Sequence, residues 1–443
     1  MPPAPSVRRP PICGNAAVLS LDASTLVGVR IHPGDDVANV VNTSPAGSSF
    51  VFEPGTYLVG SPLNVQSGDK YLGAPGAILD GGYLNSQLFA GRADDVVVSG
   101  LTIRRFGTES GFGSVNSAAV NRSTGDRWTV TRSTFELNDG AALNLGSGSL
   151  TQANCFDRNG QYGVSVPGRS EQISQVRLIG NEFRNNNRSG LDGHGCSGCT
   201  GAMKFWKVNG ATISNNWIHH NNGVGVWIDN NNTAVVIDQN WVNDNTKEAI
   251  MYETSYNGRI TNNTLENNTV IAGSARTDMF PKAAIFVSSS GGNPDTAGTA
   301  EVLVAHNTLN GNWNGITVFS DGDRFCGSIT DTSVGHCTIH PGASNQACVD
   351  LASTGDGANF LRTCYWSVRA VRVVDNSISI SASMTSGCGG RCGRGVSVEA
   401  TKTSASAVFR SPSVSVPNPL AGTAIRQATV AETTQSNNVT QVL

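Results

Sequence analysis

The sequence predicts an all-β chain wound as a solenoid of short parallel strands. Three observations predict it: an asparagine frame that repeats along the chain, a composition rich in turn formers, and the near absence of helical stripes. Each frame asparagine leads, ten residues on, to an apolar strand: Asn154 to Val164, Asn181 to Leu191, Asn216 to Val226 and Asn240 to Ile250. Ser133 takes the asparagine's place one repeat earlier and leads to Leu143, while Asn263, Asn307 and Asn376 continue the frame with looser spacing. The common period of 21 to 27 residues, with short alternating strands, fits a parallel β-helix. Leucine-rich repeats share the period but need regular leucines, which this chain lacks.

Composition agrees. There are 51 glycines, charged residues make up only 14 %, and asparagine is dense between residues 180 and 270. Gly and Asn tolerate the left-handed backbone that tight turns require. A length of 443 residues would suggest two or three domains, but a repeat fold grows without dividing. Stacked Asn side chains at a turn can bond along the solenoid and to turn backbone.

The elements follow in order. Residues 1–30 read as an N-terminal arm or cap, 31–320 as the solenoid with an active-site groove, and 321–370 as a Cys-rich insertion. The segment Arg372-Val373-Val374-Asp375-Asn376-Ser377-Ile378 resumes the frame, so 371–443 read as terminal rungs and a cap. Ten cysteines, an even number, point to disulfides and an oxidising compartment, hence a secreted protein. Met1-Pro2-Pro3-Ala4-Pro5 has no apolar stretch of the signal-peptide kind and reads as a mature form with an added Met. A net charge of −3 leaves no basic footprint for nucleic acid, and no apolar run approaches the ~20 residues of a membrane span.

The opening segments Pro33-Gly34-Asp35-Asp36, Phe52-Glu53-Pro54-Gly55-Thr56-Tyr57 and Gly73-Ala74-Pro75-Gly76-Ala77, with the Asn repeat up to about residue 320, carry a resemblance. They resemble the right-handed parallel β-helix proteins of the pectate-lyase-like superfamily, which are secreted and polysaccharide-active. The resemblance implies a single right-handed parallel β-helix, to which the long repeats add loop insertions and the four cysteines of 321–370 a disulfide-pinned C-terminal region. It does not fix the reaction, because the fold hosts lyases, hydrolases, transferases, epimerases and phage tailspikes.

Two carboxylates mark the candidate site. Gly225-Val226-Trp227-Ile228-Asp229 and Ala249-Ile250-Met251-Tyr252-Glu253 are consecutive repeats, and Asp229 and Glu253 stand 24 residues apart, as do Asn216 and Asn240. Strand alternation turns Val226, Ile228, Ile250 and Tyr252 inward and Trp227, Asp229, Met251 and Glu253 outward. Aligning Leu191 with Val226 places Asp192 beside Trp227 and His194 in the Asp229 column, with Ser288 one rung beyond Glu253. The repeat from Asn181 to Asn216 is 35 residues long; its excess holds Cys196, Cys199, Lys204 and Trp206, and a second excess lies near Ile271 to Pro281. Long loops wall grooves in solenoids.

On adjacent rungs the carboxylates would lie roughly 5–6 Å apart, near the ~5–5.5 Å of a retaining glycosidase pair. Repulsion would make one an acid and the other a nucleophile or base. The expected reaction is glycosidic bond cleavage of a polysaccharide by Asp229 and Glu253. His194 and Lys204 supply polar or cationic contacts, and Trp227, Trp206 and Tyr256 stack on sugar rings beside Asp192. No cofactor is needed for this reaction. The alternative is a calcium-dependent lyase: superfamily lyases pair acidic calcium ligands with a Lys or Arg base, and Asp229 and Glu253 would hold Ca²⁺ while Lys204 takes the C5 proton. No Arg shares the column, since Arg188 and Arg259 lie at rung edges. A further alternative is a carbohydrate-binding solenoid without turnover. The bland readings are a turn-forming Asp229, a solvated Glu253 and Lys204, a loop His194, and Trp217 and Trp241 packing on another face. Cys196 and Cys199 read as a disulfide rather than half of a zinc site.

Overall fold

The computed structural model describes residues 9–107, 120–121, 125–168, 171–188, 201–275, 282–320, 345–364, 366, 368–385, 388–400, 408–411, 414–417 and 425–443. Among these residues, short strands stack in parallel into three long sheets of 13, 12 and 8 strands. The chain visits the sheets in turn: Arg177–Ile179 in the first, Glu182–Arg184 in the second, Gly201–Phe205 in the third, then Thr212–Ser214 back in the first. One such circuit is a rung.

Parallel registry makes like stack on like. The middle residue of each strand in the 12-stranded sheet points inward, giving the column Phe135, Phe156, Phe183, Ile218, Val242, Leu265 and Leu309. All seven are fully buried, and the three phenylalanines stack at ring-centroid distances of 5.1 and 4.6 Å. Such a ring is worth about 3–5 kcal/mol against Ala.

The frame asparagines have a structural cause. From Asn154 on, each rung passes from the 13- to the 12-stranded sheet through a residue in left-handed conformation followed by the frame asparagine, as at Asn215 (φ 58°) before Asn216 and Gln239 (φ 56°) before Asn240. Asn216 donates from Nδ2 to Asn240 Oδ1 at 3.0 Å and to the Leu178 carbonyl at 2.9 Å, while the same Oδ1 accepts the Asn216 backbone N–H. The bend's buried backbone groups are thus satisfied by side chains. A second ladder, Asn138, Asn159, Asn186, Asn221, Asn245, Asn268 and Asn312, lines the bend into the 8-stranded sheet.

At the N-terminal end, the helix Val37–Asn42 is capped by Asp36 and buries Val37 and Val41. The arm before it runs over the outside of the 12-stranded sheet. Cys13 is disulfide-bonded to Cys155, Ile12 and Cys13 donate backbone N–H to Glu182, and Arg9 donates to Asn215 Oδ1 and the Gln239 carbonyl. Of the expected Cys-rich insertion, 321–344 lie outside the described residues. The rest holds helices Asn345–Ser353 and Gly357–Thr363, linked by Cys348–Cys364. Strands Val371–Val374 and Ser377–Ile380 carry the rungs onward, and Cys388–Cys392 closes a short loop beside Trp313.

Candidate active site

The 8-stranded sheet positions the carboxylates. Its inner face contributes Met203, Phe205, Val226, Ile228, Ile250, Tyr252, Ile285 and Val287 to the main core, which leaves the alternate residues on the outer face. One outer column runs Asn144, Ser165, Lys204, Trp227, Met251, Phe286 and Thr317. The next holds Glu253, Ser288 and Phe319. Asp229 follows Ile228, which pairs with Tyr252, and so continues that register opposite Glu253.

Lys204, Trp227, Asp229 and Glu253 form one connected group. The Lys204 ammonium is 3.0 Å from Asp229 Oδ2, with the two side chains only 11 % and 13 % exposed. The same Nζ sits 4.1 Å from the centroid of the Trp227 ring, a cation–π contact. Trp227 Nε1 in turn donates to Glu253 Oε2 at 2.8 Å. The two carboxylates therefore have different partners, an ammonium for Asp229 and an indole N–H for Glu253. The Asp229 carbonyl accepts from Ser255 Oγ at 2.5 Å and from Asn232 Nδ2, which fixes the backbone where the strand ends.

Two sequence-based placements need correction. The rung before Asp229 is not built on Leu191: Met203 pairs with Val226, Lys204 with Trp227 and Phe205 with Ile228. The excess residues of that long repeat thus precede the strand instead of following it. Gly201 opens that strand at a position only glycine fits, since a Cβ on it would lie 2.0 Å from the Val224 carbonyl oxygen. Trp206, not His194, precedes Asp229 in its column, because the Asp229 N–H bonds to the Phe205 carbonyl. Asp192, His194, Cys196 and Cys199 lie outside the described residues. Tyr256 is the second correction. It is wholly buried, stacked on Trp366 at 4.3 Å, because the chain bends inward after Thr254 and pairs Tyr256 with Thr233 and Gly291. A buried ring offers no face to a sugar.

Ser165 was missed. It pairs with Lys204 on the neighbouring rung, and its Oγ is buried with no hydrogen-bond partner among the described residues. The signal was present, since Asn154 leads to Val164 in the frame and Ser165 is the next, outward residue. Of the arginines considered for the site, Arg188 is committed elsewhere, pairing with Asp139 at 2.7 Å. Trp217 and Trp241 stack on each other at 4.7 Å on the 12-stranded sheet.

Comparison with known proteins agrees on architecture. Residues 192–339 match the family model for a right handed beta helix region. The chain is a right-handed parallel β-helix. Similar solved structures include the Dettilon tailspike protein (10 % identity, 84 % of this chain and 68 % of that one, TM-score 0.40). The A-module of the mannuronan C-5 epimerase AlgE4 from Azotobacter vinelandii is another (12 %, 83 % and 94 %, TM-score 0.40). A third is the pectate lyase Pel9A (13 %, 68 % and 80 %, TM-score 0.37). No curated protein matches the chain. At such identities and TM-scores none of these neighbours bears on chemistry, so the reaction must be argued from the side chains.

Proposed function

We propose that the outer face of the 8-stranded sheet is the active site of a secreted enzyme that cleaves glycosidic bonds in a polysaccharide. The observation that carries this reading is the Asp229–Lys204–Trp227–Glu253 group, in which two carboxylates of one outward column meet different partners. Glu253, buried away from water, acts as the acid that protonates the leaving oxygen. Asp229, facing an ammonium, acts as the carboxylate that attacks the anomeric carbon or activates water. Lys204 holds Asp229 in place, and Trp206, in the adjoining position, offers a half-buried ring to a sugar. Asp192 and His194 remain proposed contacts at the groove edge. Disulfides persist in oxidising compartments, which supports secretion.

Elimination is the second reading, favoured by the position of Lys204 at the centre of the group. The ion pair with Asp229 would have to open before Lys204 could take a proton. Calcium fits the described residues poorly. They bring no group of three or more His, Cys, Asp or Glu together, and an ammonium and an indole already engage the two carboxylates. In the absence of turnover the same face would be a carbohydrate-binding surface.

The test is a panel of plant, algal and bacterial polysaccharides with mass analysis of the products. Products heavier by one water, unaffected by chelator, are expected. An ultraviolet-absorbing unsaturated product would establish elimination, and binding without any product would leave only the carbohydrate-binding reading.

A further inference from the structure

Beyond the candidate active site, around the bend that leaves the 8-stranded sheet, lies an open cleft of about 470 Å³ lined by Gln172, Lys207, Asn209, Asn231, Thr233 and Thr296. That volume falls within the roughly 300–1,000 Å³ of small-ligand sites. Its wall is built from successive rungs, with Asn209 and Thr233 as bridge partners, so polar side chains, an amide and then a hydroxyl, follow one another at the ~4.8 Å strand spacing.

The lining has unused hydrogen-bonding capacity. Elsewhere at the bends asparagines are consumed by the ladders, and Asn232 is buried and donates to the Phe205 carbonyl and Ser255 Oγ. Its neighbour Asn231 faces the cleft, and among the described residues the side chains of Gln172, Lys207, Asn209, Asn231 and Thr233 make no hydrogen bond or ion pair within the protein. The Lys207 ammonium lies over the Trp206 ring, 5.3 Å from Nζ to the centroid. Among the described residues, no carboxylate and no aromatic ring lines the cleft.

Amides and hydroxyls that both donate and accept, repeated at a fixed spacing, match a ligand dense in hydroxyl groups. A phosphate backbone would call for more than one cation, and an apolar ligand would leave the amides unpaired. The cleft also continues the active site. Asn231 lies two residues beyond Asp229, and Lys207 follows Trp206, which precedes Asp229 in its column. We infer that this cleft is a remote glycan-binding site, holding hydroxyl-bearing sugar residues of the same polysaccharide beyond the bond that reacts. The inference rests on the polysaccharide reading above.

Titration calorimetry with cello-, xylo-, mannurono- and galacturono-oligosaccharides, each as disaccharide and hexasaccharide, tests it. The proteins compared are wild type, Glu253→Gln, and the double variant Lys207→Ala/Asn231→Ala. The hexasaccharide that wild type binds is expected to bind the double variant about tenfold more weakly, the loss of one or two hydrogen bonds. Disaccharide affinity and Tm should not change. Equal hexasaccharide affinity in wild type and double variant would overturn the cleft while leaving the active site intact. Weaker binding in the double variant with no product from wild type would uphold the cleft and refute the enzyme. If no oligosaccharide of the series binds wild type, the cleft proposal fails, and the polysaccharide panel alone then decides the active site.

Discussion

The outer faces of the 12- and 8-stranded sheets carry the same kinds of side chain and use them differently. On the 12-stranded face, Glu182 is fully buried and saturated: Oε2 accepts the backbone N–H of Ile12 and Cys13, and Oε1 meets His219 Nε2 at 3.1 Å. Trp217 is sandwiched, with Trp241 at 4.7 Å and His219 at 4.0 Å. On the 8-stranded face, Trp227 has a cation over its ring and an acid at its N–H, and the buried hydroxyl of Ser165 has no hydrogen-bond partner among the described residues. The polar atoms of the Glu182–His219 cluster are matched to one another, as a structural role requires. The group around Trp227, under the proposed function, keeps its polar atoms for a ligand.

The comparison breaks most sharply at Glu253. Glu253→Gln keeps an acceptor for the Trp227 indole, so Tm should hold while turnover of the panel substrate falls by about 10³-fold, or about 4 kcal/mol. Glu182→Ala should do the reverse. Two backbone N–H groups lose their acceptor, which costs about 3 kcal/mol in denaturant unfolding, while kcat of the folded protein is retained. A fall in kcat as large as the stability loss would erase the distinction between the faces.

Acid sharpens it further. Burial raises the Glu182 carboxyl, but bonds from His219 and from the Cys13 and Ile12 N–H groups outweigh it and hold the group below its usual 4.5. A lowered folded value means that the stability from ionised Glu182 is complete above about pH 4.5 and fades as pH falls through that lower value. The Tm gap between wild type and Glu182→Gln should therefore narrow below about pH 4.5; a gap that is constant with pH would contradict the assignment. Ser165→Ala is the smallest effect. Removing a buried, unpaired hydroxyl should stabilise the fold by about 1 kcal/mol and raise KM, whereas a hydroxyl with a structural role would lower Tm.

The solenoid was legible because, from Asn154 on, one asparagine per rung stands at a bend that recurs from rung to rung. The second ladder was equally legible and unread: Asn159, Asn186, Asn221, Asn245, Asn268 and Asn312 each follow a frame asparagine by five residues. Inward and outward faces at Val226–Asp229 and Ile250–Glu253 followed from alternation alone. The Lys204 register did not, because a ten-residue offset holds only where no residues are inserted between Asn186 and the next strand. Tyr256 misled for a related reason: alternation says nothing once Thr254 turns the chain. The partnership of Glu182 with Ile12 joins segments 170 residues apart, a contact with no periodic trace.

The arm has a mechanical consequence. From Cys13 at Cys155, past Glu182, to Arg9 at Asn215 and Gln239, it is fastened to four successive rungs, which carry in turn Ser165, Lys204, Trp227 with Asp229, and Glu253. A stack of rungs joined only by sheet hydrogen bonds can flex along its axis like a spring. A strand tied across the coils on one side acts as a brace, fixing the pitch. The 3.0 Å contact between Lys204 and Asp229 spans one step of that pitch, so the brace on one face keeps the gauge of the site on another.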